Sequence, residues 1–453
     1  MAERLKVIVL DDDPTGSQTV HGCPLLLRWD AASLRRGLAH PSALLFLLAN
    51  TRALDPAGAA ARVREICRAL QPALQEAQAQ GVLERWLIVS RGDSTLRGHF
   101  PLELEVIEAE LGPFDATLLV PAFLPGGRTT VEGLHLLQGE PVHDTAFARD
   151  RLFGFRSSYL PEWVAEKTAG RIPAAAVQRI SLAELDAGPE QLVARLEGLQ
   201  GRQIVAVDAE QPQQLANLGA AVRAVSSGGR RRLLFQSAAS LINGLVPLPP
   251  QRLDGAGLAA LRRRDATGRA LPTLVLVGSH VPLADAQLEA LLQEPACTGV
   301  EIPVARLARL LEGPLPVELL ASLEQAWLMQ LQAVLAEGKT PVLFSSRGEL
   351  VCRSAAERRQ LGLELAGLMA RLAAALAPQL GLIISKGGIT SHTLLADGLQ
   401  LGWVELQGQL FAGLSVLLTP PEAAIPALPL ITFPGNLGDA DSLREAWRLM
   451  DQG

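Results

Sequence analysis

Three consecutive carboxylates, Asp11, Asp12 and Asp13, stand in LDDDPTGSQTVHG (residues 10–22), directly behind the apolar run LKVIVL (5–10). A second segment, RGDSTLRG (91–98), gathers Arg91, Asp93, Ser94, Thr95, Arg97 and Gly98, again after an apolar run. Asn50, Thr51 and Arg52 follow a third such run, and PAFLPGGRTT (121–130) follows a fourth with Gly126, Gly127 and Arg128. Aspartates accept hydrogen bonds from sugar hydroxyls or hold a metal, and arginine captures a carboxylate through two parallel N–H bonds. One such loop alone reads equally well as an Asx turn or a helix cap. Polar loops after successive strands are better explained by a binding rim, because ligands of open parallel sheets bind beyond the carboxyl ends of the strands.

The second half repeats the arrangement with smaller residues. LVLVGSHVPLADAQLEALL places Gly278–Ser279 between a strand and a helix, and LIISKGGITSHTLLADGL places Lys386, Gly387, Gly388, Ile389, Thr390 and Ser391 likewise. FPGNLGDAD (433–441) adds Gly435. Paired glycines let a backbone approach phosphate, and a hydroxyl and a lysine beside them suit a nucleotide. Two decoys fall away. GKT at 338–340 has Ala333 where a P-loop needs glycine and precedes a strand; GAGLAA at 255–260 follows no strand. The seven histidines include no HExxH pair, and no GxSxG occurs.

These residues need elements to hold them. Short apolar runs alternate with helical periodicity, which predicts an α/β chain with largely parallel sheets flanked by helices. Expected strands are Leu5–Leu10, Ala43–Ala49, Trp86–Ser90, Thr117–Val120, Ile204–Val207 and Arg232–Phe235. In the second half they are Thr273–Val277, Val300–Val304, Pro341–Phe344, Gly381–Ser385 and Trp403–Leu406. Leu365, Leu368, Met369, Leu372 and Leu376 form the stripe of a core-facing helix. VPLPPQRLDGAG (246–257) reads as a linker between domains spanning 1–250 and 251–453.

The bulk composition agrees. The 453 residues exceed one ordinary core, and 48% hydrophobic with 19% charged residues is a globular balance. A net charge of −6 argues against a general nucleic-acid binder. The mean hydropathy is +0.22, yet no unbroken apolar run approaches a membrane span. Cys23, Cys67, Cys297 and Cys352 are scattered, as expected of free thiols in a reducing cytoplasm. No metal-ligand set is expected.

DDDPTG, RGDSTLRG, PAFLPGGRT, SKGGITS and the late PGNLGD together resemble the four-carbon acid sugar kinases, over essentially the whole chain. The resemblance implies an N-terminal sugar-acid domain, a C-terminal ATP domain and an active site in the cleft between them. It implies Asp12, Asp13, Arg91, Asp93, Ser94 and Arg97 at the acid, with Arg52 and Arg128 on the same rim. Ser279, Gly387, Gly388, Ile389, Thr390 and Gly435 would surround the nucleotide. Ile389 stands where many relatives have an acid, and Phe433–Pro434 where many have Lys-Ser, so Lys386 or Arg347 would replace a lost phosphate partner. Arg91 or Arg97 would grip the substrate carboxylate, and Asp12 or Asp93 would orient or deprotonate the terminal hydroxyl. Mg²⁺ would bridge the ATP phosphates. The partners expected are a small sugar acid and a second copy of the chain, with no nucleic acid and no membrane. Two other readings compete: a metal-dependent sugar-acid isomerase or lyase that ignores ATP, and a non-catalytic sensor of sugar acid or nucleotide.

Overall fold

The computed structural model describes residues 4–17, 19–311, 316–348 and 354–451. The chain divides into two compact units, Met1–Pro250 and Gln251–Gly453. Each is built on its own run of strands.

In the first unit the strands are β1 (Leu5–Asp11), β2 (Cys23–Leu26), β3 (Leu44–Leu48), β4 (Arg85–Arg91), β5 (Ala116–Val120), β6 (Arg128–Val131), β7 (Leu134–Leu137), β8 (Glu140–Pro141), β9 (Gln178–Ile180), β10 (Gln203–Val207) and β11 (Leu233–Ser237). Eight of them lie in the order β2-β3-β1-β4-β11-β5-β10-β9, every pair parallel. Val7, Ile8 and Val9 of β1 and all of β3 are inaccessible to water. Such continuous burial fits strands covered on both faces by crossover helices. Helix Pro56–Ala79 is one of these, started by Asp55, whose side chain accepts the Gly58 N–H at 2.7 Å. The chain leaves β1 for β2 and β3 on one side, then crosses to β4 on the other. β1 is therefore the point at which the winding reverses, where open sheets form their crevice. A separate antiparallel meander, β6-β7-β8, follows β5.

The second unit holds β12 (Thr273–Val277), β13 (Cys297–Ile302), β14 (Thr340–Ser345), β15 (Leu382–Lys386), β16 (Trp403–Phe411), β17 (Leu414–Leu418) and β18 (Pro429–Phe433). The order β13-β14-β12-β15-β18 is parallel, and β17 and β16 extend it antiparallel. Here β12 takes the place β1 has in the first unit. Helix Ala355–Leu376 buries the expected stripe of Leu365, Leu368, Met369, Leu372 and Leu376. The segment Glu357–Gln379 is long and apolar enough to cross a membrane by length and composition alone, and half of its tested window is buried inside the protein.

The expected strands are present, most of them shifted by a residue or two. Val300–Val304 is displaced to Cys297–Ile302. The short strands β2 and β9, the meander, and β17 and β18 escaped the alternation. The expected linker ends in a helix, Gly255–Ala259, because Asp254 accepts the Gly257 N–H at 2.8 Å and caps it. The described cysteines Cys23, Cys67 and Cys297 are buried and form no disulfide among the described residues, and Cys352 lies outside them.

Helices Pro212–Ser226 and Ala239–Leu245 meet through glycine: a Cβ on Gly219 would lie 1.8 Å from the Gly244 carbonyl oxygen. Gly219→Ala should therefore destabilise the protein, since overpacking costs about 1–3 kcal/mol and here the clash is with backbone. Gly362→Ala, in a helix position with open space around it, should be neutral or slightly stabilising. Thermal unfolding of the two variants checks this; equal melting temperatures would contradict the packing account.

Candidate active site

At the end of β1 the chain turns sharply. Asp13 Oδ1 accepts the Thr15 N–H at 2.8 Å and also its hydroxyl, and the Gly16 N–H donates to the Asp13 carbonyl at 2.9 Å. Glycine is required at 16, because a Cβ there would sit 1.9 Å from Asp11 Oδ1. The loop after β3 is laced to β1: the Asn50 and Arg52 N–H groups donate to the carbonyls of Asp11 (3.1 Å) and Asp12 (3.2 Å). The His99 ring, through Nε2, meets the carbonyls of Thr51 and Leu54, each at 3.1 Å, from the other side.

These backbone ties deliver Arg52 to the carboxylates. Its Nε donates to Asp12 Oδ2 at 2.9 Å and a terminal nitrogen to Asp12 Oδ1 at 2.5 Å. The same guanidinium lies 3.6 Å from Asp13 and 3.9 Å from Asp93 Oδ1. Arg91 stands 3.4 Å from Asp11 and 3.7 Å from Asp12. Arg97 donates to Asp93 Oδ2 at 2.7 Å, an oxygen that the Thr95 hydroxyl also reaches. Ser94 is buried, and its carbonyl accepts from His135 Nε2 at 2.8 Å. That bond requires the proton on Nε2, leaving Nδ1 to accept from the Thr130 hydroxyl at 2.9 Å. Burial keeps this imidazole neutral, down at about 4.

The carboxylates are not equivalent. Burial pushes Asp11 up to about 7 against the pull of Arg91, and burial also raises Asp12 despite Arg52. For Asp93 burial is outweighed by Arg52 and Arg97, which hold it well below the usual carboxylate range; Asp13 is lowered by Arg52 and Thr15 against the same penalty. Arg128 differs from the other arginines. One terminal nitrogen donates to the Gly126 carbonyl at 2.5 Å, its Nε is buried without a partner, and among the described residues no carboxylate pairs with it. Burial disfavours its cationic form; the charge of Asp93 opposes that, and the charge of Arg97 adds to it more weakly.

Beside this cluster is a narrow pocket walled by Asp12, Asp93, Arg97, Glu103, Trp163 and Gln236 among others.

In the second unit the polar residues again collect at adjacent strand ends. Gly278 follows β12, and a Cβ on it would lie 2.0 Å from Thr390 Oγ1. Gly387 has φ +117°, a conformation open to glycine, with its N–H on the Phe433 carbonyl at 2.9 Å. A Cβ on Gly435 would approach Ser279 Oγ to 2.8 Å. Lys386 is fully buried, its amine donating to the Pro434 and Gly435 carbonyls (2.9 and 3.3 Å) above the Phe433 ring, and burial lowers it to about 7. Arg347 binds the Ser279 and Ser345 carbonyls and Asp285. Both cations therefore brace the glycine rim from beneath. Ile389 is exposed at its lip.

Residues 7–245 match a family described as a sugar-binding N-terminal domain, and residues 274–443 match a nucleotide-binding C-terminal domain. The chain belongs to the four-carbon acid sugar kinase family. It is 28% identical to a D-threonate kinase of Cupriavidus necator over 432 residues, covering 89% of this chain and 86% of that protein. A D-threonate kinase of Bordetella bronchiseptica is 26% identical over 97% of this chain and 96% of its own length. A D-erythronate kinase of Heliobacterium modesticaldum is 28% identical over 54% of this chain and 50% of its own. The fold is shared with solved structures from Salmonella typhimurium LT2 (TM-score 0.66, 20% identity, 98% and 99% of the two chains) and Haemophilus influenzae (0.58, 18%, 98% and 100%). Kinase-named relatives of this kind support a sugar-acid phosphotransferase.

Within this family member, the acid-site candidates Asp12, Asp13, Arg52, Arg91, Asp93 and Arg97 come together in one hydrogen-bonded cluster; Ser94 contributes backbone. Arg128 feels the charges of both Asp93 and Arg97. Ser279, Gly387, Gly388, Thr390 and Gly435 share the rim of the second unit. Glu103, Trp163 and Gln236 were missed. Glu103 was readable: in LELEVIEAEL it sits on the apolar face with Val106, Ile107 and Leu111, where a carboxylate is out of place.

Asp11 gives a pH test. Raised from 3.8 to about 7, it keeps a proton in the folded protein that the unfolded chain has already lost, so its contribution to stability falls as pH rises through that window. Asn cannot ionise. The melting temperature of Asp11→Asn minus that of wild type should become more positive from pH 5 to pH 8; a difference flat with pH would contradict the buried, proton-holding Asp11.

Proposed function

We propose that this protein is an ATP-dependent kinase that phosphorylates the terminal hydroxyl of a four-carbon sugar acid of the threonate or erythronate type. The observation that carries the reading is Arg128, a half-buried guanidinium whose Nε is shut in without a partner and which no carboxylate pairs with at ion-pair distance among the described residues, within reach of the charges of Asp93 and Arg97. An arriving carboxylate would relieve both cations, and arginine binds carboxylates in two-bond geometry. The names of the relatives, D-threonate and D-erythronate kinase, support an acid of that length.

Roles then divide by geometry. Asp12 has both oxygens on Arg52 and serves as its anchor. Asp93 is held ionised with Oδ1 less engaged, which suits it to orient the attacking hydroxyl. Phosphoryl transfer depends on such positioning and on charge neutralisation more than on a strong base. The rim of Gly278, Gly387 and Gly435 is clear of Cβ atoms and fits a nucleotide whose phosphates approach backbone; Ser279 and Thr390 stand beside it. Mg²⁺ would neutralise phosphate charge when bound. That ion would be held chiefly by the nucleotide's own phosphates.

Incubation with Mg-ATP and D-threonate or D-erythronate should release ADP only when the acid is present. Arg128→Gln should raise the KM for the acid about 10- to 100-fold, the effect of losing a charge-assisted hydrogen bond, and leave the KM for ATP within about twofold. An unchanged acid KM would remove Arg128 from the site; no acid-dependent ADP from any tetronate would overturn the kinase reading.

A further inference from the structure

The pocket beside the cluster has a polar floor that the roles above leave unused. Glu103, in the first turn of helix Leu102–Leu111, is 93% buried, its residue being only 7% exposed. One carboxyl oxygen, Oε2, accepts the Ser90 hydroxyl at 3.1 Å. The other, Oε1, is closed to water; the neighbouring Thr51 hydroxyl, itself short of a partner, stands outside hydrogen-bond geometry with it, so the acceptor is left unpaired. The walls are mixed: Leu96, Leu119, Pro121 and the packed rings of Phe100 and Trp163 (centroids 4.5 Å apart) on the apolar side, Asp12, Asp93 and Arg97 on the polar side. An unsatisfied buried acceptor costs about 1–3 kcal/mol, and native structures rarely keep one without a use.

We infer that Glu103 is a specificity-determining residue that reads a hydroxyl on the carbon chain of the sugar acid from the floor of this pocket. This rests on the sugar-acid reading above and deepens it. A hydroxyl is the group that fits. It is neutral, so the neighbouring Asp12 does not repel it, whereas a carboxylate would be repelled. It satisfies Oε1 as donor, and accepts if Glu103 is protonated. Burial, reinforced by the charge of Asp12, lifts Glu103 to about 7, so both forms are accessible near neutrality. The apolar wall suits the C–H side of the chain. The substrate class that follows is an acid carrying a hydroxyl between its carboxylate and its terminal carbon; acids lacking it leave Oε1 unpaired. Sites built to bond a hydroxyl reject the deoxy analogue strongly, by ~10⁴ in the best cases.

The test compares kcat/KM for D-threonate and D-erythronate with that for 2,4- and 3,4-dihydroxybutanoate. Wild type should favour the preferred tetronate over at least one deoxy acid by about 100-fold or more. Glu103→Leu should cut that ratio at least tenfold, and Glu103→Met, which keeps the length and loses both oxygens, serves if the leucine variant fails to fold. A purely structural Glu103 would lower stability or activity on every acid alike and leave the ratio unmoved, which would overturn the inference. So would a wild type indifferent to the missing hydroxyl. Calorimetric titration of the same acids without ATP separates the two claims. Hydroxyl-dependent binding that Glu103 variants lose, with no phosphate transferred to any acid, would sustain the inference and sink the kinase. Transfer with an unchanged ratio would do the reverse.

Discussion

The two-point ion pair between Arg52 and Asp12 is the interaction on which the first unit's rim depends. It joins the loop after β3 to the end of β1, and the same guanidinium lies within 4 Å of Asp13 and Asp93. Without it, several carboxylates would face one another in a buried setting, where an unpaired charge is strongly destabilising. Charge and backbone cooperate here. The carbonyls of Asp11 and Asp12 take the N–H groups of Asn50 and Arg52, so the arginine is delivered by the strand order itself. The run of aspartates behind β1 is tolerable because the winding reverses there and brings arginines from both sides.

The same winding serves both units with different chemistry. β1 and β12 each lie between the third and fourth strands of their unit, and each opens its carboxyl end at the reversal. The first unit fills that end with carboxylates and guanidinium groups, some raised and some lowered in pKa by burial and pairing. The second clears it: glycines approach one another and the hydroxyls of Ser279 and Thr390, while Lys386 and Arg347 are turned inward onto carbonyls. One rim is suited to a polyhydroxy acid, the other to phosphates that need backbone contact.

Much of this was legible in the residues. Parallel strands buried on both faces appear as plain apolar runs, and the polar residues after them mark the rim, so Asp12, Arg52, Asp93 and Arg97 could be grouped before any coordinates. What could not be read is who pairs with whom. Asp12 and Asp93 look alike in the chain, yet one is bonded at both oxygens by Arg52 and the other retains an oxygen at 3.9 Å from it. Lys386 looks like a phosphate ligand beside Gly387, but its position as the last residue of β15 turns its amine into the core. The meander and the antiparallel β17 lack long apolar runs or lie close behind other strands, so alternation alone did not separate them. Glu103 was visible as an acid on an apolar helix face and was lost among neighbouring glutamates.

The central claim is that the sugar acid lies in the first unit with its carboxylate on Arg128 and Arg97 and its terminal hydroxyl at Asp93. A crystal structure of the protein with a bound tetronate tests it most directly. The account predicts density with the carboxylate within hydrogen-bond distance of those two guanidinium groups and a hydroxyl at Asp93 Oδ1. A tetronate whose carboxylate sits away from both arginines, or that binds outside the carboxyl ends of β1, β3 and β4, would contradict it.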